Sequence, residues 1–342
     1  MSLTDSLRKL PRYDLLDGET PIQRLPGIEE ATAAFARGIG IYVKRDDFMS
    51  IGGGGNKLRK LEFLLGDALR QGADTIVATG GRQSNFARLA AASAARAGLK
   101  CELVLSRMVP RDGDEYDRNG NVLLDDLFGA HIHHLDAGAD ATAFAEARAR
   151  DLQQAGRTAY VALLGGSSAV GSVGYASCAL EIAKQSDGLG IDFTEIVLPN
   201  GSSGTHAGLA AGYKALGRDP KQIRSHSVLA VQSNAIASTM EKANAVLALL
   251  GIDGALDETD INISGKQLGD GYGIPTAAMF DAVRLLANRE GLLTDPVYSG
   301  KAFAGLLDDI ATGRYKAGDN VLFLMTGGSP GLYAYARDFL RR

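Results

Sequence analysis

The sequence has no tryptophan, two cysteines, and no apolar run long enough to cross a bilayer. Cys101 and Cys178 lie in segments that read as strand and helix, without metal-ligand spacing, so neither a disulfide framework nor a cysteine metal site organises the chain. Both are expected to be reduced and buried. The first twenty residues, MSLTDSLRKLPRYDLLDGET, lack the apolar core of a secretory signal, which makes the cytoplasm the expected location. An excess of one charge is also missing. Lys and Arg number 36 against 40 Asp and Glu, a net charge of −4, and no dense basic tract could neutralise a run of phosphates. Nucleic acid and membrane are therefore not expected partners.

What is present suits a globular protein: 45% hydrophobic and 22% charged residues over 342 positions, enough chain for two domains. Short apolar strands alternate with helix-length segments. TIVAT (75–79), CELVL (101–105), HIHHL (131–135) and AYVAL (159–163) are separated by helices such as Asn85 to Ala97 and Ala141 to Gln154. A second series follows with EIVLP (195–199), SVLAVQ (227–232) and VLFLMTGG (321–328), with helices near 204–217, 235–250 and 276–290. The alternation implies an α/β protein with mostly parallel sheets covered on both faces. Met108 to Arg118 reads as a solvated loop.

In such sheets ligands sit at the carboxyl ends of strands, where loops lead into helix N-termini. Three stretches occupy places of this kind. GGGGNKLRK joins a glycine run to an amphipathic helix with Leu58, Leu61, Leu64 and Leu65 on one face, and puts Lys57 in the first turn, where the helix dipole lowers an amine pKa. A neutral amine is what imine formation requires. A glycine turn beside solvated basic residues accounts for this segment equally well. NGSSGTHAGL follows EIVLP and opens a helix, so its backbone N–H groups and the Ser202, Ser203 and Thr205 hydroxyls can cradle a phosphate, with Gly201 and Gly204 allowing close approach. GGRQSNFAR follows TIVAT. Ser84 or Asn85 caps its helix, and Gln83, Ser84 and Asn85 together offer more polar groups than a cap uses, as a substrate carboxylate would need. Neither the Walker pattern nor the dinucleotide glycine fingerprint is present.

HIHH at 131–134 places His131 and His133 on one strand face and His134 on the other, with no neighbouring Cys or acidic pair to complete a site. No metal is expected. His206, inside the phosphate-type loop, lies either near a cofactor or on a helix surface.

Taken together, GGNKLRKLEFL, QSN before an alanine-rich helix, GSSGTHAGL, GYGIP, LLTDPVYSGKAFAGL and LMTGGSPGLYAY resemble the D-cysteine desulfhydrase and aminocyclopropane-carboxylate deaminase family, in that order along nearly the whole chain. The resemblance implies a tryptophan-synthase-like enzyme of fold type II, with two three-layer α/β/α domains binding pyridoxal 5'-phosphate between them. Residues 1–58 and 170–342 would form the large domain and 59–169 the small one, in a homodimer. Lys57 would be the Schiff-base lysine, and Lys60 with Gly201, Ser202, Ser203, Gly204 and Thr205 the phosphate site. Asn85 would bond the cofactor's phenolic oxygen, with Thr326 also on the cofactor. Gln83, Ser84, Asn85 and Phe86 would line the substrate site, and Tyr272 and Tyr298 would be the two active-site tyrosines.

Ser299 falls at the position facing the pyridine nitrogen, where the cyclopropane deaminases carry a glutamate. A hydroxyl cannot compel ring protonation as a carboxylate would, which favours β-elimination over ring opening. Phe86 replaces the histidine that follows QSN in the desulfhydrases. The activity these features imply is α,β-elimination from a small amino acid to an α-keto acid and ammonia, with D-cysteine, giving pyruvate and hydrogen sulfide, as the leading substrate. Aminocyclopropane-carboxylate deamination and L-cysteate sulfo-lyase chemistry are the enzymatic alternatives, and a cofactor-binding protein without turnover is the non-enzymatic one.

Overall fold

The computed structural model describes residues 2–340. In chain order the strands are β1 (Ile22–Arg24), β2 (Gly40–Lys44), β3 (Thr75–Gly81), β4 (Lys100–Ser106) and β5 (His131–Leu135). They continue with β6 (Ala159–Ala162), β7 (Glu195–Asn200), β8 (Ile223–Ser227), β9 (Asn262–Ser264) and β10 (Asn320–Leu324). Two sheets result, one ordered β1-β2-β10-β7-β8-β9 and the other β5-β4-β3-β6. β1 runs antiparallel to β2; the remaining pairings are parallel. The smaller sheet thus takes its strands from one continuous stretch, and the larger is assembled from chain on both sides of it.

Local chemistry fixes the helices that matter. Asn85–Ala97 starts where Ser84 Oγ accepts the Ala87 N–H at 3.1 Å, and ends at Gly98 in the left-handed conformation that a side chain would resist. Asp140 caps Ala141–Gln154 in the same way. The leucine stripe of Lys57–Arg70, comprising Leu58, Leu61, Leu64 and Leu65, packs with Ile76, Leu103 and Ala90 in the core of the smaller sheet. On its other side this helix meets Ala169–Leu189, where Gly174 lies so close to Arg59 O that a Cβ would stand 2.0 Å from it.

One strand differs from the sequence expectation. The apolar SVLAVQ does not form it; β8 is the polar run IRSHS just upstream, and residues 228–231 bend into the helix Gln232–Leu250. Every residue of β8 is buried, and fixed partners take up the side chains of Arg224, Ser225 and Ser227. Arg224 donates to Asp309 at 2.7 and 3.0 Å, and Ser225 Oγ meets Asn200 Nδ2 and His206 Nδ1. The Met108–Arg118 stretch also contains a short helix, Asp114–Arg118.

A buried ion network ties the Lys57 helix to the larger sheet. Arg59 donates to Asp46 at 2.9 and 2.8 Å and to Glu181 at 2.7 Å. Lys44 on β2 donates to the same glutamate, and the Thr20 and Tyr175 hydroxyls donate to Asp46. Two cations thus face two anions. Burial opposes the charge on Asp46 and Glu181, but Arg59 and Lys44 together outweigh it and hold both carboxyls below their ordinary range. Glu181→Gln leaves two buried cations facing one carboxylate, and is expected to cost about 3–5 kcal/mol in denaturant unfolding. A loss under about 1 kcal/mol, the value of an exposed pair, would mean the network is not desolvated as described.

Candidate active site

Lys57 begins its helix after four glycines with φ of 61°, 79°, 72° and 129° at Gly52 to Gly55. These values favour glycine, and at Gly54 a Cβ would also stand 2.2 Å from Asp47 O. Arg88 holds the loop from outside, donating to Gly52 O and Gly54 O, both at 2.9 Å. The next residue, Asn56, donates its N–H to Thr326 O and its side-chain amide to Thr205 Oγ1. Burial pushes the Lys57 amine down to about 8, with Asp295 opposing the shift. Desolvation therefore supplies the lowering expected from the helix N-terminus.

The lysine opens into a partly enclosed cavity. Ser84, Asn85 and Phe86 form one wall, with Gly201, Ser202, Ser203 and Thr205 opposite and Tyr272, Tyr298 and Thr326 completing it. Gln83 points elsewhere. Its amide donates to Tyr116 O and Asn119 O and accepts from Asn121 N, so it anchors the 116–121 segment rather than lining the cavity. Asn85 Oδ1 accepts from Asn121 Nδ2 at 2.9 Å, and its Nδ2 lies over Gly328, where a Cβ would come within 2.4 Å. Ser84 keeps a hydroxyl hydrogen to donate after accepting the cap bond. The Phe86 ring is 1% exposed and packs toward Gly166 and Leu64, as a floor between cavity and core.

Lys60 lies one turn beyond Lys57 and is fully buried, donating to Gly165 O at 3.1 Å and Ser167 Oγ at 2.9 Å. Burial, then Lys57 and Lys242, push its pKa well below the ordinary value. It forms no ion pair among the described residues, so a bound anion is what would stabilise its charge. Donors crowd around it. A Cβ at Gly204 would lie 2.6 Å from Ser167 Oγ and 2.8 Å from Lys60 Nζ. Ser202 Oγ sits 2.7 Å from Ser167 Oγ, and Ser203 caps the Gly204–Ala215 helix with φ of +70°, a strained value for serine. Lysine, hydroxyls and a helix N-terminus fit a phosphate group. His206 belongs to the cavity wall, its Nδ1 against Ser225 and its charge suppressed by burial, which moves the ring to about 3.

Tyr272 and Tyr298 share a hydrogen bond of 2.6 Å between their hydroxyls, with burial raising both phenols so that they remain protonated. Ser299 Oγ is fully buried behind the wall, 2.6 Å from Thr326 Oγ1, and accepts the Thr326 N–H at 3.3 Å. Asp295 orders this corner by accepting the N–H groups of Val297, Tyr298 and Ser299 at 3.0, 2.8 and 2.9 Å. Burial raises its carboxyl to about 6 while these donors pull the other way.

Sequence reasoning missed Ser167, Arg88 and Asp295. GGSS at 165–168 carries the same signal as GSSGT, a Gly/Ser turn between a strand and a helix, and could have been found by it. Arg88 and Asp295 act on backbone and leave no local pattern. Strand pairing brings one acidic residue to the histidines, where sequence neighbours offered neither a Cys nor an acidic pair. Glu102 stands opposite His131, and its Oε2 is 2.7 Å from His133 Nε2. Arg148 already donates to both oxygens of that carboxylate, at 2.7 and 2.9 Å, which makes the cluster an ion pair with its ligand atoms engaged. Cys101 and Cys178 are buried and unpaired, as expected. Among the described residues no helix is long and apolar enough to cross a membrane.

The family model for pyridoxal-phosphate dependent enzymes matches residues 13–327. The chain belongs to that family. It is also 42% identical over 330 residues to the D-cysteine desulfhydrase of Salmonella schwarzengrund (strain CVM19633), covering 96% of this chain and 97% of the relative. Among solved structures it is similar to one described as an ACC deaminase homologue, at 34% identity and TM-score 0.87, covering 99% and 98% of the two chains. A pyridoxal 5'-phosphate-dependent aspartate racemase, at 15% identity and TM-score 0.66, shares the fold. This pyridoxal-phosphate-dependent enzyme therefore has the type II fold that its two parallel-sheet layers indicate.

Proposed function

We propose that this enzyme eliminates a β-substituent and ammonia from a small amino acid, with D-cysteine as the substrate. The observation that carries the reading is the meeting in one cavity of the Lys57 amine, the Ser84 helix N-terminus and the Tyr272–Tyr298 pair. The D-cysteine desulfhydrase relatives support the choice of substrate.

Lys57 holds the cofactor, which when bound supplies an electron sink for charge left on the substrate's α-carbon. With a pKa near 8, an appreciable fraction of its amine is neutral around neutral pH, so Lys57 can accept the α-proton and return one. Lys60, the hydroxyls of Ser202, Ser203 and Thr205, and the backbone at Gly201 and Gly204 hold the phosphate, joined by Ser167. Asn85 would hold the cofactor's phenolic oxygen. Ser84 and the N–H groups beside it bind the substrate carboxylate. The Tyr298 O–H, kept protonated by burial, donates to the leaving group, and Tyr272 orients that hydrogen through the 2.6 Å bond.

Ser299 and Thr326 offer the ring nitrogen only hydroxyls. A neutral partner of this kind argues against cyclopropane opening, although the ACC deaminase homologue is similar over the whole chain. The motif resemblance along the chain implies a cytoplasmic homodimer. It also supports a division into 1–58 with 170–342 and 59–169, in keeping with β3 to β6 forming a sheet of their own.

Borohydride reduction of the cofactor-loaded protein followed by peptide mapping is expected to find the label on Lys57, and Lys57→Ala to remove it. Label on another lysine would overturn the assignment.

Phe86 leaves the substrate pocket with an apolar floor where desulfhydrases present histidine. An unpaired polar group in a dry pocket costs roughly 1–3 kcal/mol, about a tenfold to hundredfold change in preference. Phe86→His is expected to shift kcat/KM by about tenfold or more toward D-cysteine over β-chloro-D-alanine, and to add an ionisation below neutral pH, since burial lowers an imidazole there as it does at His206. Phe86→Leu, which removes the ring without adding a polar atom, should do neither. An unchanged preference and pH profile in Phe86→His would reduce the ring to packing.

A further inference from the structure

Tyr272 lies between β9 and the helix Ala277–Glu290, in a segment without regular structure. Three glycines surround it, Gly269, Gly271 and Gly273, with φ of 62°, 147° and 71°. The segment's own backbone bonds are long, Leu268 N to Gly265 O at 3.4 Å and Ile274 N to Gly271 O at 3.3 Å. Such a chain has many accessible conformations, and its internal bonds do little to select one. Yet the Tyr272 hydroxyl must stay 2.6 Å from that of Tyr298.

Two side chains from elsewhere supply the missing constraint. Lys301 is fully buried and donates from Nζ to Leu268 O at 2.7 Å and Gly271 O at 3.0 Å. Tyr335, 1% exposed, donates its hydroxyl to Gly273 O at 2.9 Å. The carbonyls immediately before and after Tyr272 are therefore each anchored by a different donor. Burying an ammonium against two carbonyls is costly, and Asp270 offsets that cost only in part. Lys301 stands three residues after Tyr298 on the helix Ser299–Ala311, so the helix that carries one phenol also fixes the loop that carries the other.

We propose that Lys301 and Tyr335 are positioning residues that clamp the backbone on either side of Tyr272 and so set the hydrogen bond between the two phenols. The proposal rests on the assignment of Tyr272 to the reaction. Neither clamp residue lines the cavity, so both act through Tyr272.

The test compares Lys301→Met and Tyr335→Phe, each alone and combined with Tyr272→Phe, by kcat and KM for D-cysteine. Amide hydrogen exchange across residues 265–274 of the purified protein gives a readout independent of turnover. Each single clamp variant is expected to lower kcat roughly tenfold or more with little change in KM, as sub-ångström misplacement of a reacting group does. It should also speed exchange in the segment. In the Tyr272→Phe background the same substitutions should cost almost nothing further, the mark of residues acting through one hydroxyl. Losses that multiply with that of Tyr272→Phe, or exchange rates that do not move, would overturn the clamp. If Tyr272→Phe alone leaves kcat intact, the clamp falls together with the role of Tyr272, while the borohydride label on Lys57 stands or falls separately. Should Lys301→Met fail to fold, Tyr335→Phe removes a single oxygen and decides by the same criteria.

Discussion

Two lysines buried one turn apart at the start of a helix are the constraint around which the site is organised. Lys57 and Lys60 lose water, repel each other, and sit at the positive end of the helix dipole. Left alone they would destabilise the turn that carries them. Two chemical solutions exist, and the cavity provides for both: an amine that becomes covalently engaged ceases to be an ammonium, and an ammonium beside a phosphate regains a counter-charge. The surroundings hold the turn in place until then. Arg59, two residues from Lys57, locks the helix into the Asp46–Glu181 network, and Arg88 pins the glycine loop by its carbonyls.

The remaining polar groups of the cavity are mostly kept neutral. The two phenols remain protonated, His206 is uncharged, and Ser299 with Thr326 offers hydroxyls. Asp295 is the nearby carboxyl that counts, and three backbone N–H groups occupy it. Its effect on Lys57 is to soften the depression of the amine pKa; burial still dominates. Charge that develops during reaction therefore meets oriented donors instead of fixed anions, in a setting with little water, where such dipoles are strongest.

Much of this was legible in the chain because parallel α/β proteins put ligand chemistry at strand ends, and strand ends carry Gly, Ser and Asn clusters. Ser84 and Asn85 after β3, and the GSSGT turn after β7, stood out for that reason, and the fold brings them to one cavity. β8 was illegible because IRSHS lacks the apolar residues by which buried strands are recognised. Its burial depends on Asp309, Asn200 and His206, none of which is near in sequence. Gln83 was misjudged from the company it keeps: it stands beside Ser84, yet its side chain turns to the 116–121 segment. Glu102 joins His133 only through the register of β4 on β5, a relation that sequence spacing does not record. Asp295 and Lys301 work on backbone groups, which any sequence supplies.

The proposed phosphate cradle spans the two sheets. Its two halves come from different sheets, GGSS following β6 of the smaller and GSSGT following β7 of the larger. The bond between Ser167 and Ser202 hydroxyls joins them directly, and Lys60, on the helix packed against both Ile76 and the Ala169–Leu189 helix, reaches the first half. An anion held there bonds to both sheets at once. Binding energy from a phosphate distant from the reacting carbon is thus available to fix the smaller sheet, and with it the Ser84 helix N-terminus, relative to Tyr298 on the larger one. On the proposed assignment, the group that anchors the cofactor would also set the distance between the substrate's carboxylate site and the phenol that donates to its leaving group.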